Sequence, residues 1–211
     1  MRSRTPPPPL QPTVHVVDDD PGVRDSLRFL LETAGFTVAT YASGATLLAA
    51  SPGPAGCVLS DFQMPGMDGL QLQGRLTQQG VRLPVIIMTA HGEVPLAVRA
   101  LKAGAVDFLQ KPCAEEQLLE TVRRALQANH AALEAGVAAA EAAGLIARLT
   151  PREHEVLDLL VTGKSNKEIA KALGNSPRTI DVHRARVFEK LQAANLPDLV
   201  HLVLAAGPSR A

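Results

Sequence analysis

The chain has 211 residues, with 21 Lys or Arg and 21 Asp or Glu, so its formal net charge at pH 7 is zero. This length predicts one or two domains, and the charge balance excludes a uniformly basic nucleic-acid binder or an acidic disordered chain. Two cysteines, no apolar run near the roughly 20 residues that span a bilayer, and no secretory signal predict a cytoplasmic protein with reduced thiols. Residues 1–12 hold four consecutive prolines and predict a disordered tail.

From 13 to 128 the sequence alternates between strand and helix patterns. Residues 14–17 are β-branched and apolar, and Asp20-Pro21 then supplies an N-cap and a first-turn proline. The later predicted strands are 36–41, 57–60, 84–88 and 106–109, and the later helices are 43–48, 70–76, 94–103 and one from 115 onward. Five such alternations predict an α/β domain, a doubly wound five-stranded parallel sheet with helices on both faces.

The next segment, 129–148, is dominated by alanine, which favours continuation of the last helix as a linker. Its apolar residues Leu126, Leu133 and Val137 are spaced seven or four apart. This weak heptad leaves two interpretations open, a dimer seam or a solvated linker helix, because alanine buries little area.

Residues 149–206 have a helical period throughout and predict four short helices, followed by a tail at 207–211. Thr150-Pro151-Arg152-Glu153 and Ser165-Asn166-Lys167-Glu168 are capping boxes that open the first two helices. Ser176-Pro177 caps the third helix, 178–191, and Asn195 can cap the fourth. Only Gly174-Asn175-Ser176 separates the second helix from the third, the length of a helix-turn-helix connection.

Polar side chains follow the predicted strands. Asp18-Asp19-Asp20 follow the first strand, Asp61 the third, Thr89 the fourth and Lys111 the fifth. The carboxyl ends of parallel strands share one edge of a sheet, so these groups should face a common space. Clustered carboxylates need a cation, and Mg²⁺ suits oxygen ligands. Lys111 and Thr89 are then the donors expected around an anion on Asp61, which fits phosphoryl transfer to a carboxylate. Alone, each has a plainer interpretation: a turn at Asp61, a helix cap at Asp20, a solvated charge at Lys111.

Four motifs resemble the receiver domain of bacterial two-component response regulators. They are Val-Val-Asp-Asp-Asp at 16–20, Asp-Phe-Gln-Met-Pro-Gly at 61–66, Thr-Ala-His-Gly at 89–92 and Asp-Phe-Leu-Gln-Lys-Pro at 107–112. The resemblance covers the whole first domain and implies a CheY-like fold, with Asp61 as the acceptor of a phosphoryl group from a sensor histidine kinase. It also implies Asp18, Asp19, Asp61 and the backbone carbonyl of Gln63 as the Mg²⁺ ligands.

The same resemblance implies a switch pair, Thr89 and Phe108, and a phosphate-pairing residue, Lys111, with a cis Lys111–Pro112 peptide bond. Phosphorylation would turn Thr89 inward and let the Phe108 ring rotate, which would alter the surface around 94–103 and favour dimerisation. Cys113 departs from the family, in which Phe usually follows Lys-Pro.

The third helix of the second domain combines a buried stripe with basic residues. Ile180, Val187 and Leu191 form the stripe, and four cations outnumber Asp181 and Glu189. Charge alone fits a solvated face as well as nucleic-acid binding. The outward residues can offer phosphate donors and an apolar contact for a thymine methyl. The candidate DNA contacts are Lys167, Arg178, Thr179, Val182, His183, Arg184, Arg186 and Lys190.

The motifs that begin at Leu149, Asn166 and Ser176 resemble the LuxR-type helix-turn-helix, and the two domains together resemble the FixJ and NarL class of transcription regulators. This resemblance implies a phosphorylation-dependent homodimer, double-stranded DNA and RNA polymerase as partners, and no external substrate. Two alternatives remain. A magnesium phosphohydrolase usually needs an acid at the position of Gln63, and a module that binds DNA without phosphorylation would not need the acidic set.

Overall fold

The computed structural model describes residues 11–90 and 104–207. The chain divides into two compact units between Leu133 and Glu134. In chain order the described elements are β1 (Thr13–Val17), α1 (Pro21–Thr33), β2 (Thr37–Tyr41), α2 (Gly44–Ala50), β3 (Gly56–Asp61), α3 (Gly69–Gln78), β4 (Val85–Thr89), β5 (Asp107–Gln110), α4 (Glu115–Ile146), α5 (Pro151–Val161), α6 (Asn166–Leu173), α7 (Pro177–Leu191) and α8 (Leu196–Ala206). The predicted helix at 94–103 and most of both predicted tails lie outside the described residues.

The first unit is built on a parallel sheet of five strands in the order β2-β1-β3-β4-β5. β1 and β3 pair in register from Thr13 opposite Gly56 to Val17 opposite Ser60. Successive strands are therefore added on one side of β1 and then on the other, so the strand order reverses between β1 and β3. Open α/β sheets bind ligands at the carboxyl ends of the two strands where this reversal occurs. The predicted α/β class and parallel sheet are confirmed.

Alternating residues of the strands pack on opposite faces of the sheet. Val14, Val16 and Leu59 lie in one core with residues of α1 and α4, whereas Val17 and Val58 lie in a second core with residues of α2 and α3. A strand buried on both faces must be apolar throughout, which explains why β1, β3 and β4 have apolar runs.

The beginning of β3 is held by a buried amide from α4. The Oδ1 atom of Asn129 accepts a hydrogen bond from Gly56 N at 2.9 Å, and its Nδ2 atom donates to Pro54 O at 3.1 Å. Gly56 has φ of 145°, and a Cβ there would lie 2.1 Å from Thr13 O. Only glycine lets β1 and β3 approach this closely.

Helix α4 runs without interruption for 32 residues, through Gly136 and Gly144. Continuation of the last receiver helix into the alanine-rich segment is thus confirmed. Of the three heptad residues, Leu126 packs against the core beside α1, and Val137 is 60% exposed. The choice between a dimer seam and a solvated linker stays open.

The second unit packs α5 to α8 around one apolar core. Val156, Ile169, Ile180 and Leu199 contribute one buried residue from each helix. The capping boxes predicted at Thr150 and Ser165 both form, and Ser176 and Asn195 cap α7 and α8. The predicted four-helix bundle is confirmed.

Within 11–90 and 104–207, no helix is both long enough and apolar enough to cross a membrane. Cys57 and Cys113 are both free thiols, as predicted. Burial raises the pKa of Cys57 to about 12, so this thiol is unreactive.

Candidate functional site

The carboxyl edge of the sheet brings together three residues that are far apart in sequence. Asp18 follows β1, Asp61 is the last residue of β3 and Lys111 follows β5. The Nζ atom of Lys111 lies 2.6 Å from Asp18 Oδ2 and 2.6 Å from Asp61 Oδ1. The ammonium group therefore bridges the two carboxylates, as the parallel topology predicts.

This bridge changes the acid-base behaviour of Lys111. Burial disfavours the charged ammonium, but the hydrogen bonds to Asp18 and Asp61, together with their negative charges, outweigh it and raise the pKa of Lys111. Asp18 is buried, and the side chain of Asp61 is 12% exposed. A positive charge is thus fixed beside an accessible carboxylate at neutral pH.

The second oxygen of each carboxylate is held by the backbone. Asp61 Oδ2 accepts a hydrogen bond from Gln63 N at 2.7 Å, and Asp18 Oδ1 accepts one from Asp20 N at 3.0 Å. Asp20 itself caps α1 by accepting from Gly22 N at 2.7 Å, which confirms its predicted role as an N-cap. These bonds fix the orientation of both carboxylates before any ligand arrives.

The residues present fit a hard divalent cation by their chemistry. Asp18, Asp19 and Asp61 offer carboxylate oxygens, and Asp19 is exposed to solvent. Among the described residues, no three His, Cys, Asp or Glu side chains converge closely enough to hold a metal ion.

The two residues of the predicted switch pair lie beside this edge. Thr89 ends β4 and is 1% exposed, and its carbonyl accepts a hydrogen bond from Lys111 N at 2.7 Å. Phe108 is half-buried in β5 and packs against the core beside α2 and α3. The Lys111–Pro112 peptide bond is cis, as the resemblance implies.

Sequence reasoning did not identify Arg24 as part of this site. Its Nη1 atom donates to the backbone carbonyl of Asp18 at 2.7 Å, which braces the turn that presents Asp18 and Asp19. The sequence does show a basic residue near the start of a helix that follows an acidic strand end. However, Arg24 binds a backbone carbonyl, and every residue has one, so the sequence does not identify its partner.

A second candidate site lies on α7 and the beginning of α6. Lys167, Arg178 and Arg186 are exposed and have no ion-pair or hydrogen-bond partner among the described residues. Val182 is 48% exposed, and the exposed Thr179 hydroxyl lies 2.8 Å from the Ser176 hydroxyl. These five residues form an accessible basic surface with one apolar side chain.

Two other predicted DNA contacts have their charged groups bound within the unit. Arg184 Nη1 donates to Asn166 Oδ1 at 2.8 Å, and its guanidinium lies 5.6 Å from the centre of the Phe188 ring. Lys190 Nζ lies 2.6 Å from Glu153 Oε2. His183 is half-buried, and its Nδ1 atom has no partner in the described part of the chain.

Sequence reasoning missed the role of Asn166, which links α6 to α7. Its Nδ2 atom donates to Asp181 Oδ1 while its Oδ1 accepts from Arg184. A single amide thus binds an acid and a base one helical turn apart. The capping box predicted that Asn166 lies at the start of a helix, but it did not predict the hydrogen bonds to Asp181 and Arg184.

Comparisons with known proteins match both units. The family model of the response regulator receiver domain matches residues 14–123, and that of the luxR family of bacterial regulatory proteins matches 147–203. The transcriptional regulatory protein FixJ of Bradyrhizobium diazoefficiens is 46% identical, over 92% of this chain and 95% of that protein. The tetrathionate response regulatory protein TtrR of Salmonella typhimurium is 44% identical, over 89% and 90% respectively.

Solved structures show the same likeness. The response regulator StyR is similar with a TM-score of 0.78 and 43% identity, over 92% of this chain and 98% of that one. Full-length FixJ from B. japonicum has a TM-score of 0.58 and 44% identity, over 93% and 98%.

Receiver fold, acidic edge and helix-turn-helix unit together define a DNA-binding transcription regulator of a two-component system. The predicted function is therefore confirmed at this level. The chain belongs to the response regulator family in which a receiver domain is joined to a LuxR-type DNA-binding domain, and three FixJ proteins are 43–47% identical to it over 92% of its length.

Proposed function

We propose that this regulator is activated when Asp61 accepts a phosphoryl group from a sensor histidine kinase, and that the phosphorylated protein binds promoter DNA as a dimer. The observation that supports this most directly is the bridge from Lys111 to Asp18 and Asp61. A nucleophilic carboxylate needs a nearby cation to receive a transferred anion, and Lys111 is already in place.

In the transfer, an oxygen of the Asp61 carboxylate attacks the phosphorus atom of a phosphohistidine on the kinase. The bond between phosphorus and the histidine nitrogen breaks, and Asp61 becomes an aspartyl phosphate. The new group carries between about −1.5 and −2 charges and three acceptor oxygens, and it replaces the single negative charge of the carboxylate. Lys111 stays charged because its pKa is raised, and it can move from the carboxylate to a phosphoryl oxygen within the same site.

Mg²⁺ is the proposed cofactor, held by Asp18, Asp19, Asp61 and the backbone carbonyl of Gln63. A bound ion would neutralise the oxygens of the phosphoryl group during transfer. Lys111 and the backbone amides of Asp20 and Gln63 occupy only part of the acceptor capacity of the carboxylates. Asp18 and Asp61 can therefore accept a cation without losing the bonds that orient them.

Thr89 and Phe108 form the proposed switch. The Thr89 hydroxyl bonds a phosphoryl oxygen, and the space that it leaves admits the Phe108 ring. Thr89 is buried at the end of β4, and β5, which carries Phe108, pairs directly with β4 through Ile87 opposite Phe108. This adjacency supports a coupled movement of the two side chains.

The altered surface around β5 then allows two receivers to associate, and paired helix-turn-helix units bind neighbouring half-sites. Joining two DNA-binding units raises their effective concentration at the second half-site. RNA polymerase is the proposed downstream partner, and the cytoplasm the proposed location, where the kinase, the DNA and Mg²⁺ are all accessible.

The proposal excludes turnover of an external substrate. A magnesium phosphohydrolase with an aspartyl-phosphate intermediate usually has an acid two residues after the nucleophile, and this position holds Gln63. A general acid or base is therefore missing where such an enzyme needs one. Sustained release of phosphate from small phosphate esters would contradict this part.

The decisive test replaces Asp61 by Asn in the full chain. Incubation with acetyl phosphate and Mg²⁺ should add the mass of one phosphoryl group to the unmodified protein and shift it to an earlier elution volume. The D61N variant should show neither change. Asp25→Asn is the matched control, because Asp25 is an exposed carboxylate of the same unit.

Footprinting on promoter DNA extends this test to function. Protection should appear at lower protein concentration with the phosphodonor than without it, and D61N should remove the difference. A D61N protein that still gained the phosphoryl mass would show that another residue is the acceptor. Equal protection with and without phosphodonor would favour a module that binds DNA constitutively.

A further inference from the structure

Lys190, in the last turn of α7, makes two polar contacts with the segment around the start of α5. Its Nζ atom lies 2.6 Å from Glu153 Oε2 and 3.3 Å from the carbonyl oxygen of Arg148. The same Glu153 oxygen accepts a hydrogen bond from Thr150 N at 2.8 Å, which completes the capping box of α5. One ammonium group therefore joins the end of α7 to the segment that precedes α5 and to its first turn.

The ion pair between Lys190 and Glu153 is stabilised by the burial of the Glu153 carboxylate. Glu153 is 2% exposed, so its carboxylate has little access to water and depends on its protein partners. The hydrogen bond from Lys190, followed by that from the Thr150 backbone, lowers the pKa of Glu153 to about 2. If Lys190 left for a DNA phosphate, a buried carboxylate would lose its counter-charge, and such a loss costs more than an exposed ion pair returns.

Three other cations of α6 and α7 differ from Lys190, because they are not bound to a buried carboxylate. Arg186 lies four residues before Lys190 on α7, is exposed, and has no partner among the described residues. Arg178 and Lys167 are likewise exposed. These three can reach a phosphate without giving up an interaction, so they can supply the electrostatic part of DNA affinity.

We propose that Lys190 is a positioning residue: it fixes the C-terminal end of α7 against α5 through Glu153 and Arg148 O, and it does not contact DNA phosphates. The ion pair thus adds to the apolar packing of Ile180, Val187 and Leu191 in holding the orientation of α7. The inference rests on the proposal that α7 contacts DNA, which Arg186 tests separately.

Salt dependence separates the two roles. Each phosphate contact that a protein loses reduces the slope of log affinity against log salt by about 0.9, whereas a repositioned helix weakens binding without changing the number of contacts. The experiment measures this slope by fluorescence anisotropy with the full chain. The probe is a labelled duplex that the unmodified protein selects from random-sequence DNA.

Four variants make the comparison. K190M should weaken binding by about tenfold at every salt concentration and leave the slope unchanged. E153Q, in which Gln keeps the capping box, should also weaken binding with an unchanged slope. The double variant E153Q/K190M removes both charges, so it should regain part of the affinity and part of the urea midpoint that K190M loses. R186A should reduce the slope by about 0.9.

The outcomes are distinct. A slope for K190M that falls by about 0.9, with no recovery in the double variant, would make Lys190 a phosphate contact and overturn the inference. Stronger binding by E153Q would do the same, because a freed lysine would then be reaching the DNA. An unchanged slope and affinity for R186A would instead refute the role of α7 in contacting DNA. If K190M unfolds, the double variant and E153Q still report the slope.

Discussion

Lys111 and Asp61 are fifty residues apart in sequence, and their ammonium and carboxylate groups lie 2.6 Å apart in the fold. Asp18 lies at the same distance from the ammonium on its other side. Two carboxylates at the end of neighbouring strands would repel each other, and Lys111 relieves this repulsion before any metal or phosphoryl group binds.

Lys111→Met should therefore make receiver stability dependent on Mg²⁺. Removing the ammonium leaves the Asp18 and Asp61 carboxylates without a counter-charge, at an expected cost of about 2 kcal/mol in the absence of metal. MgCl₂ should raise the free energy of unfolding of K111M by more than it raises that of the unmodified protein. Urea unfolding followed by circular dichroism, in EDTA and in MgCl₂, measures both effects. Arg82→Met, at an exposed cation, is the control, and an equal Mg²⁺ effect in all three proteins would contradict the prediction.

Gly56→Ala should destabilise the receiver by about 3 kcal/mol, from backbone strain and overpacking together. The added Cβ would lie 2.1 Å from Thr13 O at φ of 145°, between two paired strands. Gly80→Ala is the matched control, because Gly80 also has positive φ but has no neighbouring atom within 4 Å of the new Cβ. It should cost only about 1 kcal/mol. Similar urea midpoints for the two variants would show that the strands can separate at little cost.

Receiver stability should decrease as the pH falls below about 6.5. Burial lowers the pKa of His15, whose Nδ1 lies 3.2 Å from the Tyr41 hydroxyl. The unfolded chain then binds a proton more readily than the folded chain, so acid favours unfolding until the folded pKa is also passed. His15→Gln keeps a hydrogen-bonding group without titrating near neutral pH. Urea unfolding between about pH 5 and 7 should show a smaller loss for this variant, and identical losses would exclude His15 as the source.

Asn129→Ala should cost the receiver about 2 kcal/mol, because it removes two hydrogen bonds and leaves the buried amide of Gly56 unsatisfied. Hydrogen exchange at Gly56 should become faster in the same variant. Gln127→Ala, at an exposed position of the same helix, should change neither quantity. Unchanged exchange at Gly56 in N129A would show that another group protects it.

Local sequence signals predicted the elements well because they act over a few residues. The pair Asp20-Pro21 and the capping box from Thr150 to Glu153 mark helix starts that the structure confirms. Strand ends were less certain: the last strand was predicted at 106–109 and forms at Asp107–Gln110. The backbone N–H of Val106 still donates to Val85 O. Val106 therefore lies next to β4 but precedes the first residue of β5.

The acidic edge was predictable because parallel topology places strand ends together, whatever the sequence distance between them. The partners chosen by single charged side chains were not. Lys190 binds Glu153, 37 residues away, and Arg184 binds Asn166, 18 residues away. A count of basic residues on α7 treats all its cations alike, and only the packing of α5, α6 and α7 shows which are exposed.

The distance of Lys111 from Asp18 along the chain has a consequence for biosynthesis. A ribosome makes Asp18 and Asp61 first, and the lysine that bridges them comes 93 positions after Asp18. The proposed acceptor site is therefore complete only when β5 has emerged and joined the sheet. The second unit begins after that point, at Glu134, and the part that matches the luxR family begins at residue 147. The proposed acceptor site can therefore form while the second unit is still being made.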